Sequence, residues 1–359
     1  MKEYILNETP IRTTNNYEIN DVKLELDEKN VNFKEFDNVN NVSINTTDKV
    51  QVSDTKIVEG EFVSKINLPS DKYYSTIIDI PAYSKGNAEV QIIFDKDNNT
   101  YIGELVFNIA ENAESRIVIK CNSKDSKDNE DNKKLDALIN LKVVANLDKN
   151  AVATVIVENN ISDKTNTFIS IENNLEENAK LFTTTLDLSG KNKVSNIYTK
   201  LIGDNSEQLI RNIYLGKNTD LLDLNYHVET IGKKSKIKIE SKGAITDKAK
   251  KSFKGTIDFK KGSVKADGRE QEDCVLLSKE SKSKSLPMLL CHEEDVFGEH
   301  GVSSGKIDSK KLFYLMTRGL DEKEAKKTII RANFNEIINS IEDEELQEKI
   351  NKAVDEIIK

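Results

Sequence analysis

At 359 residues the chain is too long for one small core and long enough to bury about three-quarters of its unfolded surface, so it needs no disulfide or metal staple. Charged residues make up 32%, aromatics only 6% with no Trp, and 62 acidic against 53 basic residues leave a net charge of −9, which argues against a nucleic-acid binder. Four Pro and 15 Gly exclude collagen-like and Pro-rich architectures. The odd set Cys121, Cys274 and Cys291 argues against a disulfide scaffold. The opening residues carry no apolar run of signal-peptide length, and no segment approaches the ~20 apolar residues that span a bilayer. A reduced, cytoplasmic protein without nucleic-acid or membrane partners is the expectation.

Residues 1–73 are rich in Asn, Asp, Thr and Val, with short alternating pieces such as Val22 to Leu26; they predict a polar, loosely packed N-terminal region with short strands. From 74 to 304 short runs alternate apolar and polar residues without a fixed sequence period. Examples are Val90–Phe94, Arg116–Lys120, Leu138–Val144, Val152–Val157, Phe168–Ile171, Leu181–Leu188, Ile197–Ile202, Lys236–Ile239 and Phe253–Phe259. Such alternation marks strands with one face buried, and a dozen of them without intervening helices predict a sandwich, a barrel or a β-solenoid. The stretch Asn122 to Lys134 holds no apolar residue and reads as an exposed loop.

After Ile307 the period changes, and residues 305–359 predict a helical domain. Asp308 caps a helix over Ser309–Thr317 that stops at Arg318 and Gly319. Asp321 followed by Glu324 resembles a capping box. Ile330, Phe334, Ile337, Ile338 and Ile341 form one apolar stripe, and Leu346, Ile350, Val354, Ile357 and Ile358 form another. Such stripes pack on their own domain or on a partner.

No nucleotide-cradling glycine motif, G-x-S-x-G elbow, H-E-x-x-H or C-x-x-C is present, which argues against a self-sufficient ATPase, dehydrogenase or zinc hydrolase. The three histidines are His227, His292 and His300. Two of them share the stretch from Cys291-His292-Glu293-Glu294-Asp295 to Glu299-His300, where thiolate, imidazole and carboxylate together suit iron or zinc. A strand-end turn with exposed acids accounts for the same spacing.

The segment from Pro287 through Asp295-Val296, His300, Phe313-Tyr314-Leu315, Arg318-Gly319 and Glu324-Ala325 resembles the C-terminal signature of the SufB/SufD family of iron–sulfur cluster assembly proteins. Lys242-Gly243, Phe253 to Ile257 and Val275 to Ser278 fit the same family. The resemblance implies a mainly β protein: a right-handed parallel β-helix (β-solenoid) core followed by a C-terminal α-helical domain. It also implies a non-enzymatic scaffold of the SUF system, pairing with a SufB-type paralogue and docking a SufC-type ATPase, with a homodimer left open. His300 followed by Gly301 points to the SufD branch, whereas Phe313 to Leu320 and Cys274 lean toward SufB.

Residue by residue, His300 matches the family histidine at the interface where iron or a nascent cluster is handled, and Glu299 is a second candidate ligand. Cys274 is either a sulfur acceptor or a packed strand residue, and Cys291 alternates with Leu289 toward the core. Phe313, Tyr314, Leu315, Arg318 and Gly319 would dock the ATPase, although Arg318 and Gly319 also serve as a plain helix stop. No tightly bound cofactor is expected in the isolated chain, only transient iron or cluster at the SufB–SufD interface. From a different class, a metal-dependent solenoid enzyme would use His227, His292 and His300 with nearby carboxylates, provided these histidines converge.

Overall fold

The computed structural model of the protein describes residues 2–12, 19–26, 42–47, 50–55, 74–124 and 135–358. Most of the charged run expected to loop out, 125–134, lies outside them. Four short strands come first: β1 (Lys2–Leu6), β2 (Val22–Leu26), β3 (Val42–Thr46) and β4 (Gln51–Thr55). Sixteen more then alternate between two sheets. The even sheet holds β6 (Lys85–Phe94), β8 (Glu114–Ser123), β10 (Val152–Asn160), β12 (Lys180–Asp187), β14 (Glu207–Gly216), β16 (Lys236–Ile245), β18 (Asp267–Leu276) and β20 (Phe297–Lys306). The odd sheet holds β5 (Tyr74–Ile80), β7 (Thr100–Ile109), β9 (Leu138–Leu147), β11 (Asn166–Leu175), β13 (Asn192–Leu201), β15 (Leu221–Thr230), β17 (Lys250–Phe259) and β19 (Lys282–Cys291).

Each of these sixteen strands runs parallel to the next of its own sheet, with β3 and β4 adding antiparallel at β6 and β5, so the chain winds as a β-solenoid of about eight turns. Val152 pairs with Lys180, Lys180 with Glu207, Glu207 with Lys236, Lys236 with Asp267 and Asp267 with Phe297, giving coils of 28, 27, 29, 31 and 30 residues. This drift in coil length hides the repeat from any search for a fixed sequence period. Alternate residues such as Ile117, Ile119, Val155, Val157 and Leu181 face inward and fill a continuous apolar lumen. Corners turn on left-handed residues: Asn112, Asn150, Asn178 and Asn205 all have φ near +58°, a conformation that Asn tolerates well. Their amides stack from coil to coil, Asn150 donating to Asn112 at 3.0 Å and Asn178 to Asn150 at 2.9 Å.

The N-terminal strands are less loosely packed than their polar composition suggests. β1 and β2 form an antiparallel ribbon whose Tyr4, Leu6, Val22 and Leu24 are buried. Asn7 anchors it, donating to the Ser195 and Asp223 carbonyls, both at 3.1 Å, and to Asp223 Oδ1 at 2.7 Å.

Three helices follow β20: α1 (Ser309–Thr317), α2 (Glu322–Asn339) and α3 (Glu344–Ile357). Asp308 and Asp321 cap the first two as their spacing predicts, accepting from the amides of Lys310 and Glu324 at 2.8 Å. The apolar stripes of α2 and α3 pack on their own chain. Phe334, Ile337, Leu346, Ile350 and Val354 join Val118, Ile156, Leu186, Ile213 and Leu215 on the outer face of the even sheet. No helix among the described residues is long and apolar enough to cross a membrane.

Candidate functional site

The last coil has no successor, so the solenoid ends in an open mouth there. Every residue of β20 is exposed. Register sets His300 beside Glu270, Val302 beside Glu272 and Ser304 beside Cys274. His300 therefore shares the inward face of β18, over the lumen. Glu299 points the opposite way, in register with Arg269, because adjacent strand residues face opposite sides of a sheet.

Beneath the mouth the lumen turns polar. Lys251 and Glu272 are fully buried and paired at 2.8 Å. Glu272 also accepts from the Tyr214 hydroxyl and, at 2.9 Å, from Ser285 Oγ. Two glycines make room for these groups: a Cβ on Gly243 would lie 2.0 Å from the Tyr214 ring, and one on Gly255 would lie 2.0 Å from Glu270 Oε1. Glu270 is buried with no hydrogen-bond partner for either carboxylate oxygen. Burial, with the Glu272 charge nearby, pushes its carboxyl up to about 8. Sequence reasoning missed Glu270, Glu272 and Lys251, although the alternation Glu270, Glu272, Cys274 marks them as sharing one strand face.

The cysteines divide. Cys274 faces the lumen at 3% exposure, and burial raises its thiol despite the nearby Lys251 charge. A packed, protonated thiol is the state the structure gives it. Cys291 keeps the inward parity assigned to it, beside Phe259 and alternating with Leu289, but it is exposed rather than packed in the core. No coil beyond it closes the lumen.

The docking candidates also separate. Phe313 and Tyr314 on α1 are 69% and 61% exposed, and Met316 joins them, while Leu315 is half-buried. Arg318 is the helix's C-cap and Gly319 follows at φ 100°, so both act as the stop their types predict.

Of the three histidines, two converge. His227 Nε2 lies 4.0 Å from Asp258 Oδ2 and His292 Nε2 lies 3.6 Å from Asp258 Oδ1, on the outer face of the odd sheet. His300 stands in the even sheet and does not join them.

Residues 92–333 match the family model described as the SUF system FeS cluster assembly, SufBD core domain. The chain is 27% identical over 176 residues to the iron–sulfur cluster assembly protein SufD of Escherichia coli, covering 49% of this chain and 42% of that protein. It is 25% identical over 166 residues to SufD of Bacillus subtilis, covering 46% and 38%. A SufBD family protein of Pyrococcus horikoshii matches at 26% over 198 residues, covering 55% and 44%. Each match spans less than half the length of the relative.

Proposed function

The chain belongs to the SufBD core family of the SUF iron–sulfur cluster assembly system, and from that premise we propose that it is a non-enzymatic scaffold subunit of SufD type. In this reading β20 and β19 pair with a SufB-type paralogue, α1 docks a SufC-type ATPase, and iron or a nascent cluster passes as cargo across the mouth that His300 overlooks. The observation that carries the reading is the terminal strand β20, exposed at all ten residues and carrying an imidazole over a buried carboxyl. An open strand edge is a template for pairing and calls for a partner. The Phe313, Tyr314 and Met316 ridge supports the second contact, since exposed aromatic anchors are what interfaces bury. α2 and α3, strapped across the even sheet, would carry any movement of α1 into the coils.

Co-expression with the SufB and SufC of the same source, read by native mass, tests this. One copy of this chain with one SufB and two SufC is the expected assembly. A Phe313→Glu, Met316→Glu double variant is expected to lose one SufC and keep SufB, and His300→Ala to keep the assembly while losing iron or cluster. A chain that stays alone with both partners present would overturn the proposal.

A further inference from the structure

Outside the mouth, the outer face of the odd sheet gathers a second set of ligand-type side chains that the scaffold reading does not use. Parallel register sets Glu229 of β15 beside Asp258 of β17, and His227 lies two residues before Glu229 on the same strand face. One ligand atom from each of the three lies within 4.8 Å of the others. Asp258 is only 4% exposed, and its Oδ1 has no hydrogen-bond partner. His227 Nε2 is likewise a buried atom without one. Two buried polar atoms thus lack a hydrogen bond in one small space, Asp258 Oδ1 having only the exposed His292 at 3.6 Å, a combination that folded proteins rarely leave unexplained.

The spacing itself is informative. His227 Nε2 and Asp258 Oδ2 are 4.0 Å apart, too far for a hydrogen bond, which closes at about 2.9 Å. Two ligands bound to one tetrahedral ion by bonds of about 2.1 Å lie about 3.4 Å apart, so a side-chain shift of about half an ångström would bring the pair onto one ion. Lys260 Nζ holds the place of a cation at present, 2.6 Å from Asp258 Oδ2 and 3.1 Å from Glu229 Oε1. Lys260 forms no hydrogen bond to His227, whose Nε2 is left without a partner. The Lys260 side chain is 36% exposed, on a flexible stem that can swing out to water. A cavity of about 230 Å³ opens beside His227, between Glu8 and Pro10 of the N-terminal segment and Glu172 and Tyr198 of the sheet. It supplies a way in for an ion and room for an outside ligand on it.

We propose that His227, Glu229 and Asp258 bind one divalent first-row transition-metal ion in exchange for the Lys260 ammonium. Mixed imidazole and carboxylate donors suit Fe²⁺, Zn²⁺ or Co²⁺ and are poor for Mg²⁺ or Ca²⁺, which take all-oxygen sets. The site is separate from the mouth: His300 lies in the other sheet, and neither Cys274 nor Cys291 belongs to the group.

The test is calorimetric titration of the chelator-treated full-length chain with zinc chloride, and with cobalt(II) to read donor type from its absorption. One ion per chain is expected, with visible cobalt bands and no thiolate charge-transfer band. His227→Ala and Asp258→Asn should each weaken binding by about tenfold or more, since even an outer-shell partner commands that factor. Lys260→Ala should tighten binding by removing the competing cation, a gain that misfolding cannot mimic. Cys291→Ser should leave it unchanged. Absence of binding, binding untouched by His227→Ala, a thiolate band lost in Cys291→Ser, or weaker binding in Lys260→Ala would each overturn the proposal.

Discussion

Glu270 and Glu272 share one strand face of the lumen and meet opposite surroundings. Glu272 has the Lys251 ammonium at 2.8 Å and two hydroxyl donors, whereas Glu270 has no hydrogen-bond partner and titrates at about 8. In an unfolded chain the same carboxyl titrates at about 4.3. Between those values the folded protein holds a proton that the unfolded chain has released. The stability this gives is full below about pH 4 and is lost as pH rises through about 8. Each unit of separation carries about 1.4 kcal/mol, a ceiling of roughly 5 kcal/mol, which relaxation and water entry lower to an expected 2–3 kcal/mol or about half. Glu270→Gln, a neutral isostere, should therefore exceed the parent in urea resistance only slightly at pH 5 and by the full margin at pH 9. Unfolding midpoints across pH 5–9 check this, and parallel curves for the two proteins would refute the assignment.

The elements differ in how far their residues announce them. Helix caps are local, so Asp308, Asp321 and Gly319 could be placed from type and spacing alone. Strands of the middle coils follow from apolar alternation because their lumen is apolar. β18 escapes that rule: its inward face carries Glu270 and Glu272 while its outward face carries Asp267, Arg269, Gln271 and Asp273, so both faces are polar and the alternation is lost. β20 escapes it too, since a coil with nothing beyond it has no core to specify and reads as a loop of small residues. The N-terminal ribbon was legible only in part: β2 is the alternating piece Val22 to Leu26, but its docking was not, because the polar anchor Asn7 bonds Ser195, 188 positions away in sequence. Asn7 sits at φ 58° with its amide on Ser195 and Asp223, and its carbonyl accepts from Lys254 Nζ at 2.8 Å. Asn7→Ala removes the amide bonds and strains the left-handed backbone, while Asn7→Gly removes the bonds alone. Both should free the ribbon, Ala more than Gly, raising tryptic cleavage at Lys23 roughly tenfold or more for about 1–3 kcal/mol of lost anchoring. Cleavage at the parental rate in both variants would show the ribbon to be held by its apolar contacts instead.

In a solenoid each coil touches only its neighbours, so stability builds by nearest-neighbour terms and the ends are weakest. This chain adds a long-range element to that scheme. α2 and α3 rest on Val118, Ile156, Leu186, Ile213 and Ala244, which belong to five successive strands of the even sheet from β8 to β16. Ion pairs rim the strap: Lys349 with Glu158 at 3.3 Å, Lys120 with Asp343 at 3.6 Å and Lys242 with Glu336 at 3.7 Å. The sequence held a trace of this cover, because Ile117-Val118-Ile119 and Val155-Ile156-Val157 are apolar on both strand faces, as a solvated outer face would not be. The strap also bears on how the proposed ATPase contact is tested. A chain ending after Gly305 would lose α1 and, with it, the cover over an apolar stripe crossing five strands. Such a stripe on a monomer is an aggregation surface. The truncated chain is expected to elute as large oligomers or to precipitate, whereas Phe313→Glu, which touches only the exposed ridge of α1, should elute and melt like the parent. Gel filtration with a thermal melt separates the two. A truncated chain that runs as a monomer with an unchanged melting temperature would mean that the coils hold themselves together, and that the helices serve the partner alone.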